Sequence, residues 1–322
     1  MLKTDDLMRN IFVVLIACIL FFACDDGDVI TVDLNFDQAL ELCDNNTDSF
    51  TIYDLRSDPS ESLALILDRS ADDIAPFINP TPENTTTEIP LGGTNRFLYR
   101  TYNRDISGSG NSNELCNVVT PADLIIQENY EALGGTAFVT STIVDDDNDG
   151  IPSENEDRGE ADANGNFPNA IDTDDDGVPN YLDQDDDNDN VMTINELDDE
   201  NLDENGNASF LDTDNDGEFN HLDTDDDGDM ILTIEEDANG DKNPRNDFFI
   251  DSNGIDTFRY LTDEANESFE SPGIVLTNMF TRVVTSTILI RNFNLEIISG
   301  DEIDFGTLEN TILFQQEFEE ED

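Results

Sequence analysis

The pattern of apolar positions divides the chain into three parts. Residues 11–23 (IFVVLIACILFFA) form one uninterrupted apolar run. Short β-branched and aromatic runs, separated by turn-rich stretches, follow at 49–55, 63–68, 96–102, 123–127, 138–144, 273–278, 281–291, 293–298 and 311–315. This spacing predicts the strands of an all-β sandwich. The pattern stops between residues 145 and 264, where polar residues dominate.

The apolar run near the N-terminus predicts export. Its thirteen residues are too few for a membrane span of about 20 helical residues, but they fit the apolar core of a signal peptide. Lys3 and Arg9 precede the run, and the acidic stretch 25–28 (DDGD) follows it. We therefore expect residues 1–23 to be a leader.

The end of the run resembles a bacterial lipobox, in which a cysteine receives lipid and becomes the mature N-terminus. The residues are Phe21-Phe22-Ala23-Cys24, with Phe where Leu is usual. The segment 15–18 (LIAC) matches the pattern more closely, but five apolar residues follow Cys18. The resemblance implies lipidation at Cys24 and membrane attachment through that lipid. An ordinary cleaved signal peptide is the alternative.

The acidic stretch after Cys24 resembles a surface-export signal of some Gram-negative groups. It implies a lipid-anchored outer-membrane protein at the cell surface. The two cysteines that remain, Cys43 and Cys116, would then lie in an oxidising compartment, so we expect a disulfide between them.

The polar middle of the chain is a repeat with a period of forty residues. Five twelve-residue loops begin at 145, 172, 185, 212 and 225, and each has acidic residues at positions 1, 3, 5 and 12. Such a period indicates an array whose units do not bury a core alone. The acids are Asp145, Asp147, Asp149, Glu156; Asp172, Asp174, Asp176, Asp183; Asp185, Asp187, Asp189, Glu196; Asp212, Asp214, Asp216, Asp223; and Asp225, Asp227, Asp229, Glu236.

This spacing suits calcium. Ca²⁺ takes six to eight hard oxygen ligands, and carboxylates at positions 1, 3, 5 and 12 of a curled loop can surround one centre. Glycine at position 6 permits the sharp turn, as at Gly150, Gly177 and Gly217. We therefore expect several calcium ions. Weaker loops begin at Asp162, Asp203 and Asp237, where Asn replaces some acids, and 251–254 resembles a decayed copy.

The charge of the chain supports a cation-binding role. Its formal net charge is −64, and residues 145–264 hold 42 acidic residues against four basic ones. A segment of this kind is disordered unless a ligand orders it. With so few basic residues, the chain has no patch to neutralise phosphates, so we exclude nucleic acid as a partner.

The loops resemble thrombospondin type 3 repeats, which also occur in bacterial surface proteins. EF-hand helices have no room here, because proline follows closely at 152 and 179 and the next loop starts two residues after Asp183. The resemblance covers residues 145–255 and implies an irregular chain wrapped around calcium ions without a hydrophobic core. Asn190 and Met230 depart from the pattern at position 6, and the family's disulfides within the array are missing.

The flanks of the array share a motif. Residues 138–144 (FVTSTIV) enter the array and residues 283–289 (VVTSTIL) follow it. We expect an N-terminal β region at 24–144, the array at 145–264 and a C-terminal β region at 265–322. One sandwich formed by both flanks, with the array inserted between two strands, is one interpretation. A coincidence of strand composition is the other.

No catalytic motif supports an enzyme. The sequence has no Gly-x-Ser-x-Gly elbow, phosphate-binding glycine loop or zinc spacing, and we expect its one histidine, His221, to face solvent. The first functional hypothesis is a calcium-binding surface lipoprotein with a structural, adhesive or spacer role and a surface protein or polysaccharide as partner. The alternative is a carbohydrate-binding or enzymatic β-domain that carries a calcium-stiffened spacer.

Overall fold

A computed structural model of the chain describes residues 34, 36–117, 119–162, 165–202, 208–275 and 278–315. The predicted leader and Cys24 lie outside the described residues, as does most of the weak loop that begins at Asp203. The described residues from Phe36 onwards belong to one folding unit. No helix within these ranges is long and apolar enough to cross a membrane.

The flanks build one nine-stranded sheet, which confirms the mainly β prediction. Its order is β4-β7-β12-β13-β1-β2-β3-β5-β6, and neighbouring strands are antiparallel except for the parallel pair β1 and β13. The strands are β1 (Ala39–Cys43), β2 (Ser49–Arg56), β3 (Glu61–Asp68), β4 (Thr87–Pro90), β5 (Arg96–Tyr102), β6 (Ile126–Glu131), β7 (Thr136–Thr142), β12 (Met279–Asn294) and β13 (Ser299–Gln315).

The sheet curls so that its two halves face each other across β1. Ala39 and Leu40 pair with β13, whereas the rest of β1 pairs with β2. The ring of Phe97 on β5 meets Phe293 and Phe305 of the other half edge to face, with centroids 5.7 Å apart in both pairs. These aromatic contacts fill the space between the halves and stabilise the curl.

The burial pattern explains the positions of the strands. In β12 buried and exposed residues alternate over most of its sixteen residues, as in a strand with one face on the core. In β3 the first five residues are all buried, as expected for a strand covered on both faces. One short helix, α1 (Ala71–Ile74), and 3-10 turns at Ala75–Phe77, Gly110–Ser112 and Glu114–Cys116 connect the strands.

The predicted disulfide is confirmed. Cys43 at the end of β1 bonds to Cys116 in a 3-10 turn, with a sequence separation of 73 and a Cα–Cα distance of 5.3 Å. Both cysteines are buried in a small apolar cluster with Tyr53, Ala64 and Leu98. The bridge therefore holds the 110–116 turns against the sheet.

The acidic array leaves and re-enters the sheet between two paired strands. Strand β7 ends at Thr142, and β12 is its antiparallel neighbour, with Ser141 opposite Ser286. These two serines belong to the shared TST motif, and their hydroxyls form a hydrogen bond of 2.8 Å in the core. The chain on either side of the array therefore belongs to one sheet.

Two predicted strands in the C-terminal flank are wrong. Of the expected strand 293–298, only residues 293 and 294 belong to β12, and residues 295–298 form the turn into β13. Residues 273–275 and 278 of the expected strand 273–278 have no strand structure. The backbone there bonds to a side chain of the array instead, since Asn190 donates to the carbonyl of Gly273 (3.3 Å) and accepts from the N–H of Val275 (2.8 Å). These two hydrogen bonds take the place of hydrogen bonds to a neighbouring strand, and they connect the segment to the array.

The described part of the array is less irregular than expected. Besides its loops it contains two ribbons, β8 (Leu197–Leu202) with β9 (Ala208–Phe210), and β10 (Phe248–Ile250) with β11 (Asp256–Phe258). It also buries Ile151, Val178, Val191 and Tyr260. Its 3-10 turns are Ser153–Asn155, Asn180–Leu182, Thr193–Asn195, Asn220–Leu222, Thr233–Glu235, Pro244–Asn246, Arg259–Leu261 and Asp263–Ala265.

Candidate metal centres

All five acidic loops share one backbone conformation. Positions 4 and 6 both have left-handed φ values between 57° and 102° in every loop. Position 6 keeps this conformation even where glycine is replaced, at Asn190 (74°) and Met230 (78°). The conformation strains a methionine, so the surrounding loop must enforce it. The residues at position 4 are Asn148, Asp175, Asn188, Asn215 and Gly228.

Hydrogen bonds within each loop orient the carboxylates. At position 5, one oxygen accepts the N–H of position 7 in all five loops, as in Asp149 with Ile151 (2.7 Å) and Asp189 with Val191 (2.6 Å). At position 3, one oxygen accepts the N–H of position 5, at distances of 3.0–3.2 Å. The second oxygen of each of these carboxylates remains available to a ligand.

Two further features of each loop determine where the acid at position 12 lies. A 3-10 turn occupies positions 9–11 in every loop. The side chain at position 9 accepts the N–H of position 2, as Asn180 does from Thr173 (2.9 Å) and Thr193 does from Asp186 (3.2 Å). The loops beginning at 145, 185 and 225 have Asp at position 2 and Glu at position 12. Those beginning at 172 and 212 have Thr at position 2 and Asp at position 12.

Many carboxylate oxygens in these loops are buried without a hydrogen-bond partner. Both oxygens of Glu156, Glu196 and Asp226 are in this state. One oxygen is in this state in Asp147, Asp149, Asp172, Asp174, Asp185, Asp186, Asp187, Asp189, Asp212, Asp225, Asp227, Asp229 and Glu236. An unsatisfied buried polar group costs about 1–3 kcal/mol, and more if charged. Such a concentration of orphaned oxygens points to cations between them.

The structure brings the predicted acids into groups that could hold an ion. Within each group the ligand atoms lie within 4.8 Å of one another. Some of these groups join positions 1, 3 and 5 of a single loop, among them Asp145, Asp147, Asp149; Asp172, Asp174, Asp176; and Asp185, Asp187, Asp189. In the 185 loop Asp187 and Asp189 are buried, whereas the 172 group is half-buried to exposed.

Two more groups bridge loops that are forty residues apart, and they contain acids that the loop pattern did not select. Asp186 lies with Asp149 and Glu156, and Asp226 lies with Asp189 and Glu196. All six residues are buried. Asp186 and Asp226 occupy position 2, and Asp146 stands at the same position of the first loop. This period-forty recurrence of Asp was the signal that could have identified them.

Crowding of buried acids raises their pKa values. Loss of solvation, followed by repulsion from Asp149, raises the pKa of Asp147 to about 12. The same causes raise the pKa of Asp226 to about 10 and those of Glu156 and Glu236 to about 9. Without cations these centres would therefore hold protons at neutral pH, whereas a bound cation would let the carboxylates ionise.

At each end of the array, where a loop lacks one of its neighbours, an arginine lies near the acids of that loop. No loop precedes Asp146, and its carboxylate lies 3.5 Å from Arg282 of β12 and 3.8 Å from Arg158. Asp146 and Arg282 are both buried. At the other end, Arg259 is buried, and its charge counteracts the rise in the pKa of Glu236. The pair Arg282–Asp146 also connects the array to the sheet.

The weak loop at Asp237 and the decayed copy at 251–254 are turns built around one carboxylate. Asp237 accepts the N–H groups of Gly240, Asp241 and Lys242, at 2.6, 3.3 and 2.7 Å. Asp251 accepts those of Asn253 and Ile255 at 2.9 and 2.7 Å. Backbone donors thus satisfy these acids, in contrast to the orphaned oxygens of the five main loops.

His221 is buried, so the expectation that it faces solvent is wrong. It is 5% exposed, and its ring packs on Phe210 and Phe219 with centroids 4.8 and 6.0 Å away. Burial lowers its pKa to about 4, which keeps the imidazole neutral. Its role in the described structure is therefore that of an aromatic packing residue within loop 212–223.

Comparison with known proteins gives one partial match. A family model described as BamM C-terminal matches residues 146–211, a fifth of the chain. The matched range contains the loops that begin at 172 and 185. Neither a curated protein nor a solved structure matches the chain. The matched family differs from the thrombospondin type 3 repeats, so that resemblance stays a prediction.

Proposed function

We propose that this chain is a calcium-binding lipoprotein whose acidic array forms a cation-stiffened arm on a β-sheet body. Its role is structural, adhesive or that of a spacer. The observation that carries the proposal is the convergence of buried, unpartnered carboxylate oxygens in loops of one repeated conformation.

The donor set favours calcium over transition metals. The groups consist of carboxylates alone, which are hard oxygen ligands, whereas zinc and copper sites use histidine or cysteine. Position 7 of each loop adds a backbone carbonyl in the calcium-loop pattern. Because the loops supply many carboxylates in a flexible frame, they suit the larger Ca²⁺ better than Mg²⁺, which needs strict octahedral geometry.

Cation binding would stabilise the array by removing repulsion. Residues 145–264 carry 42 acidic and four basic residues, so their net charge is −38. Extracellular calcium modules bind at about 10⁻⁴ to 10⁻³ M, so millimolar calcium would fill the loops. A ligand that binds only the folded form adds stability that increases with its concentration.

Attachment to the membrane through Cys24 is part of this proposal. It rests on the leader pattern and on the acidic residues that follow the cysteine.

Calorimetric titration of the metal-free protein with calcium tests the proposal. Asp176→Asn removes a position 5 ligand and should weaken or abolish binding at its loop, while Asp175→Asn is a matched control. Asp175 is the adjacent acid, it lies outside the cluster, and its left-handed backbone suits asparagine. Calcium binding that is absent, or equally affected by both substitutions, would contradict the proposal.

A further inference from the structure

A polar cleft lies where the array meets the segment that leads into β12. Its volume is about 520 Å³, within the usual range for ligand sites. Asp176 and Asp183 of one calcium loop and Asp185 of the next form one wall. Val275 and Met279, from the returning segment, lie among the lining residues. The cleft therefore borders two of the proposed metal loops and shares these three acids with them.

Amide side chains dominate the lining, and two of them have unused hydrogen-bonding atoms. Asn278 is 2% exposed and donates to the carbonyl of Leu182 (2.5 Å), which leaves its Oδ1 buried without a partner. Nδ2 of Asn188 is also buried and unpartnered. Gln184, Asn195 and Asn243 add further amides to the lining. An amide offers both a donor and an acceptor, and a ligand hydroxyl can use both.

Basic residues are concentrated at the same cleft. Of the four basic residues in 145–264, Lys242 and Arg245 both line it. Arg245 donates through Nη1 to Asn195 (2.6 Å), while its Nε is buried without a partner. Lys242 donates to the carbonyl of Ile274 (2.9 Å). In so acidic an array, this pair indicates a ligand with an anionic group.

An apolar element completes the lining. Met192 and Met279 are 40% and 56% exposed, which is unusual for large apolar side chains so close to charged loops. They offer a surface for the C–H face of a ring. Amides that can pair with hydroxyls, a cationic pair and an apolar surface suited to a ring together favour a carboxylated sugar over an acidic peptide such as polyglutamate, which has no ring to place on that surface.

We propose that this cleft binds an acidic saccharide through a hexuronate unit. Its carboxylate lies at Lys242 and Arg245, and its hydroxyls meet the amides of Asn188 and Asn278. The inference rests on the proposed calcium binding, because the charge of Asp176, Asp183 and Asp185 repels an anionic ligand until a cation neutralises it.

Binding is measured on the full-length chain in detergent by calorimetry, first with calcium and then with sugars in excess calcium. The acidic probe is a hyaluronan hexasaccharide, the neutral control is chitohexaose, and the peptide control is tetraglutamate. We expect binding of the acidic sugar alone, and loss of that binding in chelator. Arg245→Gln removes a charge-assisted donor and should weaken binding about tenfold.

Arg100→Gln is the matched control, since Arg100 on β5 also donates to an asparagine, Asn129 (2.6 Å), and lies away from the cleft. It should leave affinity within about twofold of the original. Lys242→Gln, at an exposed position, replaces Arg245→Gln as the test if the latter fails to bind calcium normally. Normal calcium binding without binding of the acidic sugar would overturn this inference alone, as would equal binding of tetraglutamate. Absence of calcium binding would overturn both proposals.

Discussion

Replacement of Glu156 by glutamine should stabilise the metal-free protein and weaken its stabilisation by calcium. Glu156 is buried, both its carboxylate oxygens lack partners, and it lies with Asp149 and Asp186. Burial, with repulsion from Asp149, raises its pKa from 4.5 to about 9. The folded, metal-free protein therefore keeps this carboxyl protonated at pH 7.5, whereas the unfolded chain ionises it.

The raised pKa sets the size of the effect. Because the pKa of Glu156 is higher in the folded state, its contribution to the stability of the folded form is greatest below pH 4.5. This contribution decreases as the pH rises towards 9. At about 1.36 kcal/mol per pH unit, protonating Glu156 on folding costs about 4 kcal/mol at pH 7.5. Glutamine avoids that cost but leaves a buried amide unpaired, which costs about 1–3 kcal/mol. We expect a net gain of about 1–3 kcal/mol without calcium.

Urea unfolding at pH 7.5 with chelator and with millimolar calcium measures both effects. Glu154→Gln is the control, because Glu154 lies in the 3-10 turn that immediately precedes Glu156 and is exposed. This control substitution should change the free energy of unfolding by no more than about 0.5 kcal/mol, both in chelator and in calcium. If Glu156→Gln destabilises the metal-free protein, or leaves its calcium stabilisation intact, the carboxylate is not held as a cation ligand and the reasoning is refuted.

Three further outcomes are expected. Cys24→Ala should release the protein from the membrane fraction or block its maturation, and an unmodified mature terminus elsewhere would contradict lipidation. Arg282→Met should destabilise the protein by about 3–5 kcal/mol, because it leaves Asp146 in a buried site without its main cation, and Asp146→Asn in the same chain should restore part of that loss. Cys43→Ser with Cys116→Ser should lower the free energy of unfolding by about 4 kcal/mol through the 73-residue separation of the bridge, as read from chemical denaturation.

Local patterns in the sequence predicted much of the fold. Short β-branched and aromatic runs identified β2, β3 and β5, and the spacing of acids located five loops of one conformation. Export to an oxidising compartment predicted the disulfide between Cys43 and Cys116. Each of these features depends on residues close in sequence or on a simple count.

Contacts between distant residues could not be predicted in the same way. Asp186 and Asp226 contribute to the groups of the preceding loops, which requires knowing how loops forty residues apart stack. The segment 273–278 has strand composition, but Asn190 takes its hydrogen bonds. His221 is polar in sequence, yet two phenylalanines cover it. In each case a tertiary contact outweighs the local preference.

Small-angle scattering combined with limited proteolysis, with and without calcium, tests the central claim most directly. Chelation should destabilise residues 145–264, so that a larger fraction of the molecules has an expanded, protease-sensitive array while the β-sheet body stays folded, and added calcium should reverse the change. Identical scattering curves and cleavage patterns in both conditions would show that the acidic loops are a solvated spacer that holds its shape without cations.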